Sequence, residues 1–403
     1  MFINKINKFV QLDLKSLKQK NNVYALATLA ATASFAQSSV EIYGIIDQAY
    51  TNTSLAASDP SGSIKVKAVN TGTQSGLATQ RIGFRGKEDL GGGLTGLFQI
   101  ESALSAGLTK LDDNRDANGF GSRPTFVGLS GGFGTVTLGR QDTPLLKAVV
   151  PQLAGGANNM VGQIMWSPFA VAGTLTGLAD VNNGSTAMAG AIADVGLGRI
   201  ARQTTIDRAI NYATPNFNGF KAELQIGQSD VKLTGTGVTT TVNAKTDDTG
   251  LNVQYANGPL TLAAATHTQK VVANGATTGK NSNDYVGATY NLGVANVSLQ
   301  YGQSKRTEGA AEAYKNKGTQ LGVQVPVSAN VAAFGSYGTG SRTFDGADKY
   351  KQTSYQLGAS YAFSKRTKMY AVYGNQQLKG DSTNTTGDKY KETQYGVGLN
   401  HSF

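Results

Sequence analysis

Cysteine is absent from this 403-residue chain, histidine occurs twice and tryptophan once. No thiol nucleophile and no disulfide framework can be built, and two histidines leave little from which to make a zinc site. Charged residues are only 15%, and no dense Lys/Arg cluster is interleaved with aromatics, so nucleic acid is a poor partner. No uninterrupted apolar run reaches the ~18 residues of a membrane helix, which excludes a helical membrane bundle. The mean hydropathy of −0.24 does not exclude a membrane barrel. Barrel strands alternate lipid-facing apolar with lumen-facing polar residues, so their average is unremarkable.

Glycine is abundant, at 51 residues, and 17 Tyr and 15 Phe supply nearly all the aromatics. The first 36 residues read as a secretory leader. Lys15, Lys18 and Lys20 precede an apolar run from Val23 to Ala33, and Ser34-Phe-Ala36 fits a small-x-small cleavage site. The piece Met1 to Leu14 is long for such a leader, as a start codon assigned too far upstream would make it. The leader carries five Lys and one Asp, so the formal charge of +10 falls to +6 in the expected mature chain, residues 37–403.

Sixteen short runs with strand character follow, most of them alternating, from Val40–Asp47 to Tyr395–Phe403. Gly91-Gly-Gly93 and Asn257-Gly258 mark tight turns between them. Longer polar stretches, Asp230 to Asp247, Val271 to Asn283, Ser304 to Lys317 and Leu378 to Tyr390, read as loops on the opposite rim. One stretch stands apart. From Gln141 to Asp207, 67 residues keep no sustained period. A loop of that length inside a compact domain is normally functional. A β-sandwich of this length would need separate domains and linkers, and none is visible. The expected fold is all-β: a 16-stranded antiparallel transmembrane barrel with a long loop folded inward after strand 5.

The motifs Ser39-Val-Glu-Ile-Tyr-Gly-Ile-Ile-Asp47, Arg81-Ile-Gly-Phe-Arg-Gly-Lys-Glu-Asp-Leu-Gly-Gly-Gly-Leu94, Phe126-Val-Gly-Leu-Ser-Gly-Gly-Phe-Gly-Thr-Val-Thr-Leu-Gly-Arg-Gln141 and Tyr395-Gly-Val-Gly-Leu-Asn-His-Ser-Phe403 carry a resemblance. Along its mature length the chain resembles the general bacterial porins, in the trimeric branch of beta-proteobacteria and neisseriae. The resemblance implies a homotrimer in outer-membrane lipid, passive diffusion of small hydrophilic solutes and ions, and no cofactor. It also implies basic residues on the wall facing acidic residues on the constriction loop, and a C-terminal aromatic, Phe403 with Tyr395, read by the outer-membrane insertion machinery.

Arg81 and Arg85 oppose Ile82 and Phe84 in parity and are the wall candidates. Arg123, Arg140 and Arg208 share parity with apolar neighbours. Either a bend turns them into the pore or they hold lipid head groups at the rim. The loop supplies Asp142, Asp180, Asp194 and Asp207 against Lys147, Arg199 and Arg202. That sparse acidic set, beside the wall arginines, points to a weak to moderate anion preference. Those aspartates could equally cap turns. Leu104 to Ser122 is the candidate latch onto a neighbouring subunit, with Gly44 and Gly83 allowing close packing. Enzyme readings fail, since adjacent carboxylates such as Glu88-Asp89 point to opposite faces of a strand. His267 has lumen parity and could anchor a barrel hydrolase only with partners the sequence does not supply. An adhesin or receptor barrel would need longer external loops, and a substrate-specific porin a ladder of Arg or aromatics along the lumen.

Overall fold

The computed structural model describes residues 39–403 apart from 60–61, 72–75, 105–110, 113–119, 157–158, 167–203, 234–241, 274–275 and 345. Its strands are β1 (Ser39–Asp59), β2 (Gly62–Thr71), β3 (Arg81–Gly91), β4 (Leu94–Leu104), β5 (Leu111–Asp112), β6 (Thr125–Gly131), β7 (Gly134–Asp142), β8 (Thr205–Ala213) and β9 (Phe220–Leu233). They continue as β10 (Val242–Asn257), β11 (Leu260–Ala273), β12 (Ala276–Asn291), β13 (Asn296–Glu308), β14 (Ala311–Pro326), β15 (Val331–Phe344), β16 (Asp348–Ala362), β17 (Thr367–Gly380) and β18 (Lys389–Ser402). All pair antiparallel. β18 returns to β1 from Ile45↔Ser402 to Ser58↔Lys389, which closes the sheet into a barrel. β2 and β3 both pair with β1, and β5 and β6 both pair with β4. Each of these pairs shares one place in the wall, so eighteen segments fill sixteen positions.

The period-2 pattern decides which face meets which medium. On β13, Leu299 and Tyr301 are exposed outward while Ser298, Gln300 and Ser304 are buried inward. The same division runs around the barrel, with Val286, Leu321, Leu357, Val397 and Leu399 all exposed on the outside. Tight turns such as Gly92–Gly93 and Gly258–Pro259 line one rim. Gly258, with φ 54°, takes the left-handed backbone that the Asn-Gly hairpin needs.

Three expectations need correction. Two of the long polar stretches, Val271 to Asn283 and Ser304 to Lys317, are mostly strand, whereas Leu378 to Tyr390 is largely a loop with a 3-10 turn at Thr383–Thr385. β11 and β12 are separated only by residues 274–275, and Glu308 is followed at once by a two-residue turn into β14. These extensions rise past the apolar belt, where both faces are wet, so alternation fades while the backbone ladder continues. The loop from Gln141 to Asp207 is also not wholly irregular. Asp142 ends β7, a helix spans Pro144–Val149, and β8 begins at Thr205. Finally, Gly44 and Gly83 do not leave open notches for a neighbouring subunit. The Phe403 ring fills the space at Gly44, and the Tyr43 ring lies over Gly83 inside the barrel.

β1 continues well past Asp47, and the second wall position is interrupted. Between β2 and β3 the chain turns off the wall at residues 76–80, burying Leu77 in the lumen. Fully buried Asp47 holds that turn. It accepts hydrogen bonds from Ala78 N (2.9 Å), Asn400 Nδ2 (2.8 Å) and the Tyr370 hydroxyl. An Asp47→Ala variant strands two buried donors, on Tyr370 and Asn400, and the half-buried amide of Ala78. At about 1–3 kcal/mol for each lost acceptor, it should lose at least about 3 kcal/mol of stability. Thermal unfolding in detergent micelles, followed by circular dichroism, should move down accordingly. An unchanged transition would mean that the inward turn holds itself.

Candidate functional site

The inward loop starts where its sequence can start a helix. Thr143 is the N-cap, its hydroxyl accepting from Leu146 N at 3.1 Å, and Pro144 occupies the first turn. The outgoing leg then crosses the inner wall. Pro144 O accepts from Asn252 on β10, Gln152 O from Gln300 on β13, and Gly155 packs on Phe334 of β15. At Asn159 the loop meets the inward turn of the second wall position, its side chain donating to Thr79 Oγ1 at 3.1 Å. The return leg retraces β18 to β14. Val161 N donates to Gln394 at 3.0 Å, Val161 O accepts from Gln356 at 2.8 Å, and Met165 N donates to Gln320 at 3.3 Å.

The two legs bury one apolar cluster, in which Leu145, Val149, Ile164, Met165 and Trp166 meet Ala263, Ala265 and Tyr285 of the wall. They fit because the wall is small beneath them. A Cβ at Gly338 or Gly374 would collide with Ile164 or Val161, and one at Gly322 would crowd Ala154. His267 lies fully buried on this wall, beside Asp248 at 3.5 Å, and does not reach the lumen water.

Charges gather on the wall of β3, β4 and β6. Tyr43, Gly83 and Glu101 sit in one cross-strand row. Tyr43 reaches across the glycine to donate to Glu101 Oε2 at 2.9 Å. Arg123 bonds the other oxygen of Glu101, and Arg81 lies 3.8 Å from it. Asp142 stands close enough to Arg123, Lys147 and Arg81 to feel their charge. Lys147, at the end of the loop helix, pairs with Glu223 of β9.

Arg81 therefore stands where parity puts it. Arg85 has the same parity but lies nearer the short-turn rim. It is held by Glu41 in a bidentate pair (2.8 and 3.0 Å), with its guanidinium 4.8 Å from the Tyr43 ring centre. The backbone is irregular near Arg123, Arg140 and Arg208. Arg123 precedes β6 and is free of its alternation. The β7–β8 register shifts beside Arg140, whose side chain bonds Ser122 O, Thr205 and Asp207. Arg208 takes a left-handed backbone, φ 53°. Such irregularities re-aim a side chain within a ladder. Asp180, Asp194, Arg199 and Arg202 lie outside the described residues, as does most of the candidate latch.

Sequence reading missed Glu101, Tyr43 and Glu223, the partners that set the local charge. Counting back evenly from the Gly91–Leu94 pair puts Glu101 opposite Phe84; the register shift between Asp89 and Gly91 moves it opposite Gly83, between the two arginine sites. The run of Gly and Ala on the inward parity of β11 to β17 was an available signal, as the footprint of the loop.

These features have counterparts in known proteins. The chain matches the Gram-negative porin family over residues 23–383. Outer membrane porin protein 32 of Delftia acidovorans is 32% identical over 313 residues, 76% of each chain. The major outer membrane protein P.IB of Neisseria gonorrhoeae is 38% identical over 126 residues, 31% of this chain and 33% of that one. Among solved structures, an anion-selective porin from Comamonas acidovorans aligns with a TM-score of 0.61 at 27% identity, covering 91% of this chain and 100% of that one. OmpT, an outer membrane protein of Vibrio cholerae, aligns at 0.59 with 13% identity, covering 91% and 98%, a likeness of fold alone. A closed sixteen-position barrel, narrowed from within by its own loop and matched over most of its length, belongs to the Gram-negative porins: it is a passive outer-membrane channel and not an enzyme.

Proposed function

We propose that this channel passes small hydrophilic solutes and ions with a weak to moderate preference for anions, set by Arg81 and Arg123. The observation that carries the reading is how the ion pairs are turned. The Arg81 and Arg123 side chains are 24% and 22% exposed, while the Glu101 they share is 5% exposed. Lys147 and Glu223 repeat the arrangement at 38% and 11%. Cations face the water and carboxylates lie behind them, so a passing ion meets positive charge although the count is nearly balanced. Arg140 and Asp207 are turned the other way, which keeps the preference modest. Similarity to an anion-selective porin supports the same sign.

Arg85, already matched by Glu41 near the rim, should matter less than Arg123. An ion passing ~7 Å from one charge in water gains or loses ~0.6 kcal/mol, about threefold in relative permeability. An Arg81→Gln/Arg123→Gln channel should therefore shift its zero-current potential toward cations in a dilute salt gradient, and Glu101→Gln should shift it the other way. Identical potentials in all three proteins would place the selectivity elsewhere.

The homotrimer is part of the same proposal. Outward positions Asn52 and Ser54 on β1 are polar at the height of Tyr395, where lipid would favour apolar side chains, so another protein surface fits them better. Unheated protein should migrate as a trimer on detergent gels and dissociate on heating. Monomer mass in unheated samples, confirmed by native mass spectrometry, would count against it. Tyr395 and Phe403, both exposed outward on the last strand, suit a terminal signal for the insertion machinery. For residues 1–36 we retain the reading of an export leader. Sequencing of the outer-membrane form should start within a residue or two of Gln37, and a start near Met1 would refute it.

A further inference from the structure

Glu101 is held by three side chains, and one of them carries no charge. Its Oε1 bonds Arg123 and lies 3.8 Å from Arg81, while its Oε2 accepts from the Tyr43 hydroxyl at 2.9 Å. The two arginines are placed without that carboxylate. Arg123 N donates to Glu101 O at 3.0 Å and Glu101 N to Pro124 O at 3.1 Å, so backbone bonds fix where Arg123 is rooted. Arg81 stands in the ladder between β1 and β4, and its Nε donates to Thr79 O at 3.1 Å in the inward turn. What the backbone leaves open is the direction in which the Glu101 carboxylate points.

The Tyr43 ring is fixed by its neighbours. It crosses Gly83, where a Cβ would lie 2.5 Å from Tyr43 Cζ and 2.7 Å from its hydroxyl oxygen. The Arg85 guanidinium lies 4.8 Å from the ring centre, and Glu41 holds Arg85 in turn. A glycine beneath the ring and a cation against it aim the hydroxyl at Glu101. A carboxylate has room for about four hydrogen bonds, and a free oxygen beside a guanidinium tends to close a two-bond fork. The Tyr43 bond occupies that oxygen with a neutral donor. Arg81 stays at 3.8 Å, outside hydrogen-bond length, and keeps its charge for the lumen.

We propose that Tyr43 is a positioning residue for anion passage. Its hydroxyl holds Glu101 turned to the wall and short of a full pair with Arg81, so that the cation meets the water and the carboxylate does not. This rests on the reading that Arg81 and Arg123 set the selectivity. Without the hydroxyl, the freed oxygen either forks onto Arg81 or turns to the lumen water, and both lower the positive potential along the path.

The test compares Tyr43→Phe, which keeps the ring over Gly83, with wild type, Glu101→Gln, the double variant Tyr43→Phe/Glu101→Gln and the Arg81→Gln/Arg123→Gln channel. In a dilute salt gradient, Tyr43→Phe should show an anion-to-cation permeability ratio about twofold to threefold below wild type, the scale of one charge passed at ~7 Å in water. In the Glu101→Gln background the same substitution should change nothing, because the carboxylate it positions is gone. At 1 M salt, where the Debye length is ~3 Å, conductance should match wild type. A wild-type ratio in Tyr43→Phe, beside a lowered ratio in the arginine variant, overturns the inference and leaves the selectivity reading standing. A shift that persists at full size without Glu101, or a conductance changed at 1 M salt, overturns it too, since the ring would then act through Arg85 or shape the pore itself. If the arginine variant also keeps the wild-type ratio, the selectivity reading fails and the role of Tyr43 in passage fails with it.

Discussion

A backbone amide left unpaired in hydrocarbon costs several kcal/mol, and nothing in the bilayer can relieve it. The structure depends on meeting that constraint without a core of the usual kind. The strands that the sequence could not mark, such as the outer parts of β9 to β14, extend the same ladder beyond the membrane. Closure of β18 on β1 completes it, from Ile45 to Ser58 on one strand and from Ser402 to Lys389 on the other. With the barrel closed, side chains become free to differ on the two faces, and the barrel can be apolar outside and wet within.

The inward loop faces the same demand in a different place. Its carbonyls and amides are buried against the wall and need partners that are not strands. Amide side chains supply them, largely one to a strand: Gln225, Asn252, Gln300, Gln320, Gln356 and Gln394 bond loop backbone from β9, β10, β13, β14, β16 and β18. Gln and Asn suit this because one end donates and the other accepts, so each can serve either kind of backbone group. The loop is thus held by polar bonds at its backbone and by apolar packing at its side chains.

How far the sequence could be read follows from which medium each segment meets. Strands crossing the bilayer announce themselves, because lipid on one side and water on the other force a period of two; Val297, Leu299 and Tyr301 against Ser298 and Gln300 is the clear case. Above the belt both sides are wet, and Lys305 to Lys317 reads as loop although nearly all of it is strand. The inward turn at residues 76–80 was invisible because its fixing residue, Asp47, looks like any lumen-facing carboxylate. Among the site residues, Arg81 followed from parity alone. Arg140 and Arg208 depended on a register shift and a left-handed residue that no alternation rule contains. The partners of the arginines were missed because a pairing across strands is set by register, and register depends on irregularities such as the one between Asp89 and Gly91.

The interrupted second wall position bears on the order in which the molecule can be put together. Asp47 lies in the first strand, but two of its partners, Tyr370 and Asn400, lie in the last two, more than three hundred residues away. The return leg of the loop likewise rests on Gln356 and Gln394. None of these surfaces exists until the C-terminal strands are in place, and contacts so distant in the chain form late. A half-built barrel therefore has nowhere to seat its loop or its inward turn. Narrowing of the lumen must be the final event of assembly, which leaves the interior open and water-filled while the wall is still being inserted.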